Sequence, residues 1–352
     1  MWRNWVEAVR TCNLPAGQKM DPIGKWLIVT RSCVFSMTLI SALLGGLLAA
    51  ADGHFKFWRL VLVAVGLVIA HASNNMVNDL FDTWEGVDTK DYPRANYAPH
   101  PLLDGLVSTS TLIAAILLCN VADLAIAIWL FRAAGWPILA FAVTGLLISV
   151  FYVAPPLKLK HRGLGEPAIF LIWGPLMIGG AYYAQAETLS WAVLLASVPY
   201  GIAVTAVLMG KHLDKADKDR AKGVRTLPVV LGDRRAKELT QLMVWTFYLA
   251  IVALVTAGML PWPALLALVS IPRANRFIQT LATPTPATPA EAFALAEEVI
   301  PADLKARFQP DLPLAAYPLW PLWYVAWGVW WTRMAGGWFV FGLLLAAVIP
   351  GI

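Results

Sequence analysis

One stretch carries more chemistry than any other: His71 to Asp88, HASNNMVNDLFDTWEGVD. It begins inside an apolar segment and ends in an acidic loop. Taken as a helix, His71, Asn75, Asn78, Asp79 and Asp82 follow an i, i+4, i+7, i+8, i+11 spacing, which puts all five on one face. Amides and carboxylates sharing a face of a membrane helix are costly to bury without a partner. A divalent cation with an anionic ligand satisfies them. Mg²⁺ takes oxygen ligands, commonly one or two carboxylates plus the phosphate oxygens of a substrate.

The elements that must position this face are membrane spans. The 352-residue chain is 59% hydrophobic and 14% charged, with a mean hydropathy of +0.64. Those values describe a polytopic membrane protein rather than a soluble globule. Apolar runs near the ~20 residues needed to cross a bilayer predict spans at about 26–50, 57–81, 109–132, 135–154, 166–186, 191–213, 237–258 and 262–280. A last apolar block, 315–351, is interrupted at Thr332–Gly337 and reads as one bent helix or two short ones, for nine spans or ten. The fold class is therefore all-α, a polytopic membrane helical bundle. Residues 1–25 read as an interfacial segment with Trp2, Trp5, Val6 and Val9 on one helical face. Residues 26–280 form the bundle, 281–313 a Pro-rich linker, and 314–352 a C-terminal segment of the same bundle. Within the linker, Thr288, Pro289 and an acidic first turn predict a short helix. No signal peptide is read in the first 25 residues. Cys12, Cys33 and Cys119 are isolated and odd in number, and are read as buried hydrophobes rather than a disulfide framework or metal set.

Charge sets the orientation. With the N-terminus inside, inner segments hold 22 of the 27 Lys and Arg residues, outer segments hold Lys56, Arg59, Arg132 and Arg333, and Arg31 sits in the first span. That bias predicts a cytoplasmic N-terminus and a cytoplasmic mouth, as in a bacterial inner membrane. Because the basic residues lie in loops between spans, the pI of 9.1 does not signal nucleic acid. Two further polar loops fall on the same side: Tyr152 to Pro167, YVAPPLKLKHRGLGEP, and Gly210 to Gly232, GKHLDKADKDRAKGVRTLPVVLG. Asp79 and Asp214 lie four spans apart, a weak internal repeat of two four-helix halves.

The shared mouth thus holds two acidic sets: Asn75, Asn78, Asp79, Asp82 and Asp88, then Asp214, Asp217 and Asp219. Arg94, Lys158, Lys160, Arg162, Lys211, Lys218, Lys222 and Arg225 surround them. Carboxylates facing carboxylates repel unless a metal lies between. A metal between carboxylates, ringed by Lys and Arg, suits a diphosphate, and the apolar bundle below suits a hydrocarbon tail. A polyprenyl diphosphate has both parts. Mg²⁺ at the leaving diphosphate eases cleavage of the C–O bond, and aromatic faces stabilise an allylic cation kept from water. This chemistry needs no nucleophile triad, and no G-x-S-x-G, P-loop or zinc-spaced Cys/His set is present.

NDLFDTWEGVD (Asn78–Asp88) resembles the first Asp-rich motif of the UbiA superfamily of intramembrane aromatic prenyltransferases. The wider pattern from His71, with PLLDGLVS (Pro101–Ser108), the Tyr152–Pro167 loop and DRAKGVRTLPVVLG (Asp219–Gly232), is most similar to the 1,4-dihydroxy-2-naphthoate polyprenyltransferase branch. The likeness spans about residues 25–260. It implies about nine spans around a central cavity open at the cytoplasmic face, two Mg²⁺ ions between the Asp motifs, a polyprenyl diphosphate donor and an aromatic acceptor, with menaquinone biosynthesis as the setting. It also implies site residues. Asn78, Asp82 and Asp88 serve the first motif, with Asn75 and Asp79 beside them. Asp219 matches the closing Asp of the second. Arg31 resembles a cavity-facing Arg, while Tyr152 and Lys158 match polar positions after the fourth span. Asp79, Asp82, Lys158 and Tyr152 are the expected catalytic residues, Lys158 orienting an acceptor carboxylate. Asn75, Asn78, Arg31, Arg94, Lys160, Arg162, Lys218 and Arg225 are the expected diphosphate or acceptor contacts. The metal set is expected among Asn78, Asp79, Asp82, Asp88, Asp214, Asp217 and Asp219.

The second motif departs from the pattern. Relatives place two Asp residues four apart, but Lys215 stands four before Asp219 and Asp214 five before. Either a one-residue bulge brings Asp214 in, or Asp217 substitutes. Lys211 stands where relatives have an amide, which leaves the acceptor open between the naphthoate, 4-hydroxybenzoate, homogentisate and a lipid alcohol. A cation-coupled transporter is the rival from another class. It would need a polar exit on the outer side, where the loops are short.

Overall fold

In lipid, every backbone N–H and C=O must find its partner within the segment, so long apolar runs become helices. The structure, a computed structural model, describes residues 1–14, 17–297 and 322–349. Nine helical rods stand among them: Ser32–Ala51, Phe57–Trp84, Thr109–Ala134, Pro137–Val153, Gly165–Ala186, Trp191–Leu213, Asp233–Thr256, Trp262–Ser270 continued by Ile271–Leu281, and Trp323–Val348. Seven are long and apolar enough to cross a membrane. The fourth is shorter, and the eighth opens as a 3₁₀ helix. The last block is one helix that runs through Thr332–Gly337. In the linker, the Thr288 hydroxyl accepts from Glu291 N and caps Pro289–Leu295. The rest of the linker from residue 298, and the start of the last block, lie outside the described residues.

The first rod packs on the second, fifth and ninth, and the sixth on the seventh and ninth. Small residues permit these approaches, as in membrane bundles generally. A Cβ on Gly45 would fall 2.3 Å from the Ile178 carbonyl oxygen, and one on Gly342 would fall 2.2 Å from that of Pro263. The third rod turns most of its side chains outward. In the fifth rod, Ile172–Leu176 widens to a π turn that contains Pro175, a residue with no N–H to give. Beside it, the Trp173 carbonyl accepts from Ser41 Oγ of the first rod at 2.9 Å. The Trp173 ring meets His71 edge-on, and His71 Nδ1 lies 2.7 Å from Thr38 Oγ1. His71 therefore ties three rods together and takes no part in the mouth.

The N-terminal helix, Trp2–Thr11, leaves Trp2, Val6 and Val9 exposed and buries Asn4, Glu7 and Ala8 against the protein. Trp5 Nε1 donates to Asp21, which also caps Pro22–Val29. One reading is corrected here: Cys12 and Cys33 form a disulfide, and only Cys119 is free. Their spacing of 21 residues matches no motif. Only the folding of the N-terminal helix back onto the turn before the first rod brings them together.

Candidate active site

The second rod is 28 residues long, about 42 Å at helical rise, against an apolar core of about 30 Å. Its last turns therefore carry Asn78, Asp79 and Asp82 toward one end of the bundle. Gly86, at φ +69°, turns the chain back there, a conformation that costs glycine least. Asp88 N then bonds the Asp82 carbonyl at 2.9 Å, which returns Asp88 to the same cleft. A short helix, Pro93–Tyr97, starts with proline at its first position and carries Arg94 inward.

Asp79 is wholly buried and saturated. Arg31 pairs with it, and Arg94 Nε and Nη2 each lie 3.0 Å from its two oxygens. Burial opposes charge on Arg31, but Asp79 outweighs it and holds the guanidinium above the usual arginine range. Asn75 Nδ2 donates to the Thr30 carbonyl at 3.0 Å and fixes the turn in which Arg31 sits, at φ +55°. His100 Nδ1 accepts from Leu102 N and Leu103 N, so in the neutral ring Nε2 carries the proton; Nε2 lies 3.2 Å from Asp88 Oδ2. Asp79, Asp88 and His100 bring ligand atoms within 4.8 Å of one another. Two arginines and a donor proton already occupy that knot, so it reads as an ion-pair cluster rather than a metal site.

Beside it, Asp82 pairs through Oδ2 with Lys160 from the 3₁₀ turn Leu159–His161. Burial opposes charge on Lys160 as well, and Asp82 pushes it above the lysine range. Asp82 Oδ1 has no hydrogen-bond partner and faces the His161 Nε2 at 4.0 Å. Across the cleft, Asp219 accepts from Tyr92 OH and lies 3.3 Å from Lys215 Nζ, and its Oδ2 is likewise buried without a partner. Burial, then Asp219, push the Tyr92 phenol well above its ordinary value, so it stays a donor. A buried carboxylate oxygen without a donor is costly. Asn78, Asp82 and Asp88 line one cleft and Asp219 lies behind it, and oxygens of these types are what a hard divalent cation prefers.

The cleft is lined by the cations Arg31, Arg94, Lys160, Lys211 and Lys215, the carboxylates Asp82 and Asp88, and the rings of Tyr92, Tyr97 and Tyr152. Of the expected residues, the structure thus gathers Arg31, Asn78, Asp82, Asp88, Arg94, Tyr152 and Lys160 along it, with Asp79 and Asp219 behind.

Others are corrected. Asp214 Oδ1 and Oδ2 accept from Tyr324 N and Val325 N, at 2.8 and 2.9 Å, and cap the ninth rod. Burial pushes its carboxyl up to about 8, against those backbone donors. Asp217 is 97% exposed in its side chain and pairs with Arg220. Neither expected bulge nor substitution occurs. The sixth rod ends at Leu213 and a new helix starts at Ala216, so only Asp219 of the second set reaches the mouth. Lys158 pairs with Glu85 at 2.7 Å and is a third exposed. Arg162, Lys218 and Arg225 are exposed, Arg162 donating to the Pro156 carbonyl. Long basic side chains in such loops reach water as readily as the cleft. Sequence reasoning passed over Tyr92, Tyr97 and His100, all within DYPRANYAPH directly after the first motif. It met Lys215 only as a departure from the second motif, and it passed over His212, whose Nδ1 lies 2.7 Å from the buried Glu166. The signal was there: a polar, aromatic stretch opening on a helix-starting proline.

The sequence profile of the UbiA prenyltransferase family matches residues 38–297. The chain belongs to the UbiA prenyltransferase family. It is a prenyltransferase and a multi-pass integral membrane protein. It is 28% identical over 269 residues to the 2-carboxy-1,4-naphthoquinone phytyltransferase of Synechocystis sp., covering 75% of this chain and 83% of that one. It is 24% identical to the 1,4-dihydroxy-2-naphthoate octaprenyltransferase of Escherichia coli, covering 62% and 72%. A UbiA homolog from Archaeoglobus fulgidus, solved with DMAPP and Mg²⁺, shares the fold at a TM-score of 0.53 and 13% identity, over 92% of this chain and all of that one.

Proposed function

We propose that this UbiA-family enzyme transfers a prenyl chain from a prenyl diphosphate to 1,4-dihydroxy-2-naphthoate, with a divalent metal at the mouth of its cleft. The carrying observation is the pair of buried carboxylate oxygens without a hydrogen-bond partner, Asp82 Oδ1 in a cleft ringed by cations and Asp219 Oδ2 behind it. Asn78, Asp82, Asp88 and Asp219 would hold the metal. When bound, Mg²⁺ supplies charge neutralisation at the leaving diphosphate.

The chain's own residues do the rest. Arg31 and Arg94, oriented by Asp79, and Lys160, oriented by Asp82, bind phosphate oxygens. The Tyr152 ring, which lines the cleft, shields the allylic carbon from water, and the Tyr97 ring carries the Arg94 guanidinium 5.3 Å from its centre. As the C–O bond breaks, its electron pair leaves with the diphosphate. The electron-rich acceptor ring forms the new C–C bond at the carbon bearing its carboxylate, and CO₂ departs. The naphthoate acceptor rests on the two relatives whose names carry a naphthoate or naphthoquinone ring. The side of the bundle bearing most Lys and Arg, with the mouth, faces the cytoplasm on the positive-inside rule.

The test is incubation of detergent-purified protein with Mg²⁺, geranylgeranyl diphosphate and a panel of 1,4-dihydroxy-2-naphthoate, 4-hydroxybenzoate and homogentisate. A prenylated naphthoquinol and released pyrophosphate are expected, both abolished by EDTA. Product from another acceptor alone would discard the naphthoate.

A further inference from the structure

The mouth is lopsided. On the first-motif side, Asp79 meets Arg31 and Arg94, Asp82 meets Lys160, and Asp88 meets His100. On the second-motif side a single carboxylate, Asp219, meets two lysines. Lys215 Nζ lies 2.8 Å from Tyr92 OH and 3.3 Å from Asp219 Oδ1. Lys211 lines the same cleft and forms no ion pair among the described residues. Asp214 and Asp217, which could have supplied more negative oxygen there, are turned to other uses.

Resting on the function proposed above, we infer that Lys211 and Lys215 bind the diphosphate directly and hold the place of a second metal ion, so that this cleft takes one divalent cation. A second cation would find the one partnerless Asp219 oxygen already given to the first, and an ammonium group 3.3 Å from the other oxygen of the same carboxylate. Like charges that close, out of water, repel strongly. Oxygen supply agrees: Mg²⁺ is commonly held by one or two carboxylates, waters and substrate phosphate, which Asp82 and Asp219 satisfy once.

The test counts ions rather than turnover. Full-length protein in detergent is saturated with geranyl S-thiolodiphosphate, whose C–S bond resists ionisation, and titrated with Mn²⁺ under electron paramagnetic resonance. Free and bound probe are measured alongside. One Mn²⁺ per chain is expected, and two in wild type would overturn the inference. Lys215→Asp is expected to take up a second Mn²⁺. Lys211→Met is expected to keep one Mn²⁺ and bind the probe at least about tenfold more weakly, as loss of a charge-assisted contact predicts. Gel filtration and melting curves screen both variants for folding, and Lys211→Met carries the test should Lys215→Asp fail to fold. Normal probe affinity in folded Lys211→Met would overturn the role of Lys211. Absence of any probe binding to wild type with Mn²⁺ would instead overturn the proposed function and this inference with it.

Discussion

Two aspartates three residues apart on one helix have different tasks, and substitution should separate them. Asp82 has a free oxygen and Asp79 has none. Asp82→Asn keeps shape and removes charge, and is expected to lower Mg²⁺-dependent turnover on the order of 100-fold or more while the protein stays folded. Steady-state release of pyrophosphate measures it, and near-normal rates would sink the metal assignment. Asp79→Asn strands two buried guanidinium groups, and is expected to cost about 3–5 kcal/mol of stability, read from denaturation in detergent. Helical spacing showed both residues on one face, yet could not show which oxygen meets which arginine, because Arg31 and Arg94 arrive from distant or turned-back chain. The second motif misled for a related reason. Acid count in GKHLDKADKDRAKGVRTL suggested a metal cluster, but the helix break after Leu213 sends Asp214 to one neighbour and Asp217 to water.

At the scale of elements, the rods were legible because period and length of apolar runs survive any packing. Their joints were not. The π turn at Ile172–Leu176 depends on Pro175 and on partners from another rod, and the Cys12–Cys33 bond on a fold-back that no spacing announces. Cys12→Ser is expected to lower stability by about 3 kcal/mol, the scale for a loop of this length. A reductant should do the same to wild type and nothing to the variant. The joint between the sixth and ninth rods carries a pH signature. Asp214 titrates near 4 when unfolded and at about 8 in place, so the folded state holds its proton more tightly. Its contribution is complete below pH 4 and is lost as pH rises toward 8. Melting temperatures measured across that range should fall, and Asp214→Asn should remove this component of the slope.

For the whole molecule, charge bias and hydropathy marked out a bundle with one basic end, and the family match covers most of it. What they left open was how the last helix joins the rest. Among the described residues, its grip is made of contacts outside its own covalent link. Asp214 caps its first turn, Tyr324 OH donates to the Thr283 carbonyl, and Trp331 Nε1 donates to Tyr248 OH at 2.8 Å. Arg333 reaches the Cys33 carbonyl, and Gly342 lies against Pro263. Membrane helices that fit one another in this way associate without a covalent tether. The enzyme should therefore survive being written as two genes. Residues 1–300 and 315–352, co-expressed as separate chains, are expected to purify together and to regain prenyl transfer, whereas the long fragment alone should not. A Gly342→Leu change in the short fragment should prevent their association, making the final helix a detachable and exchangeable part.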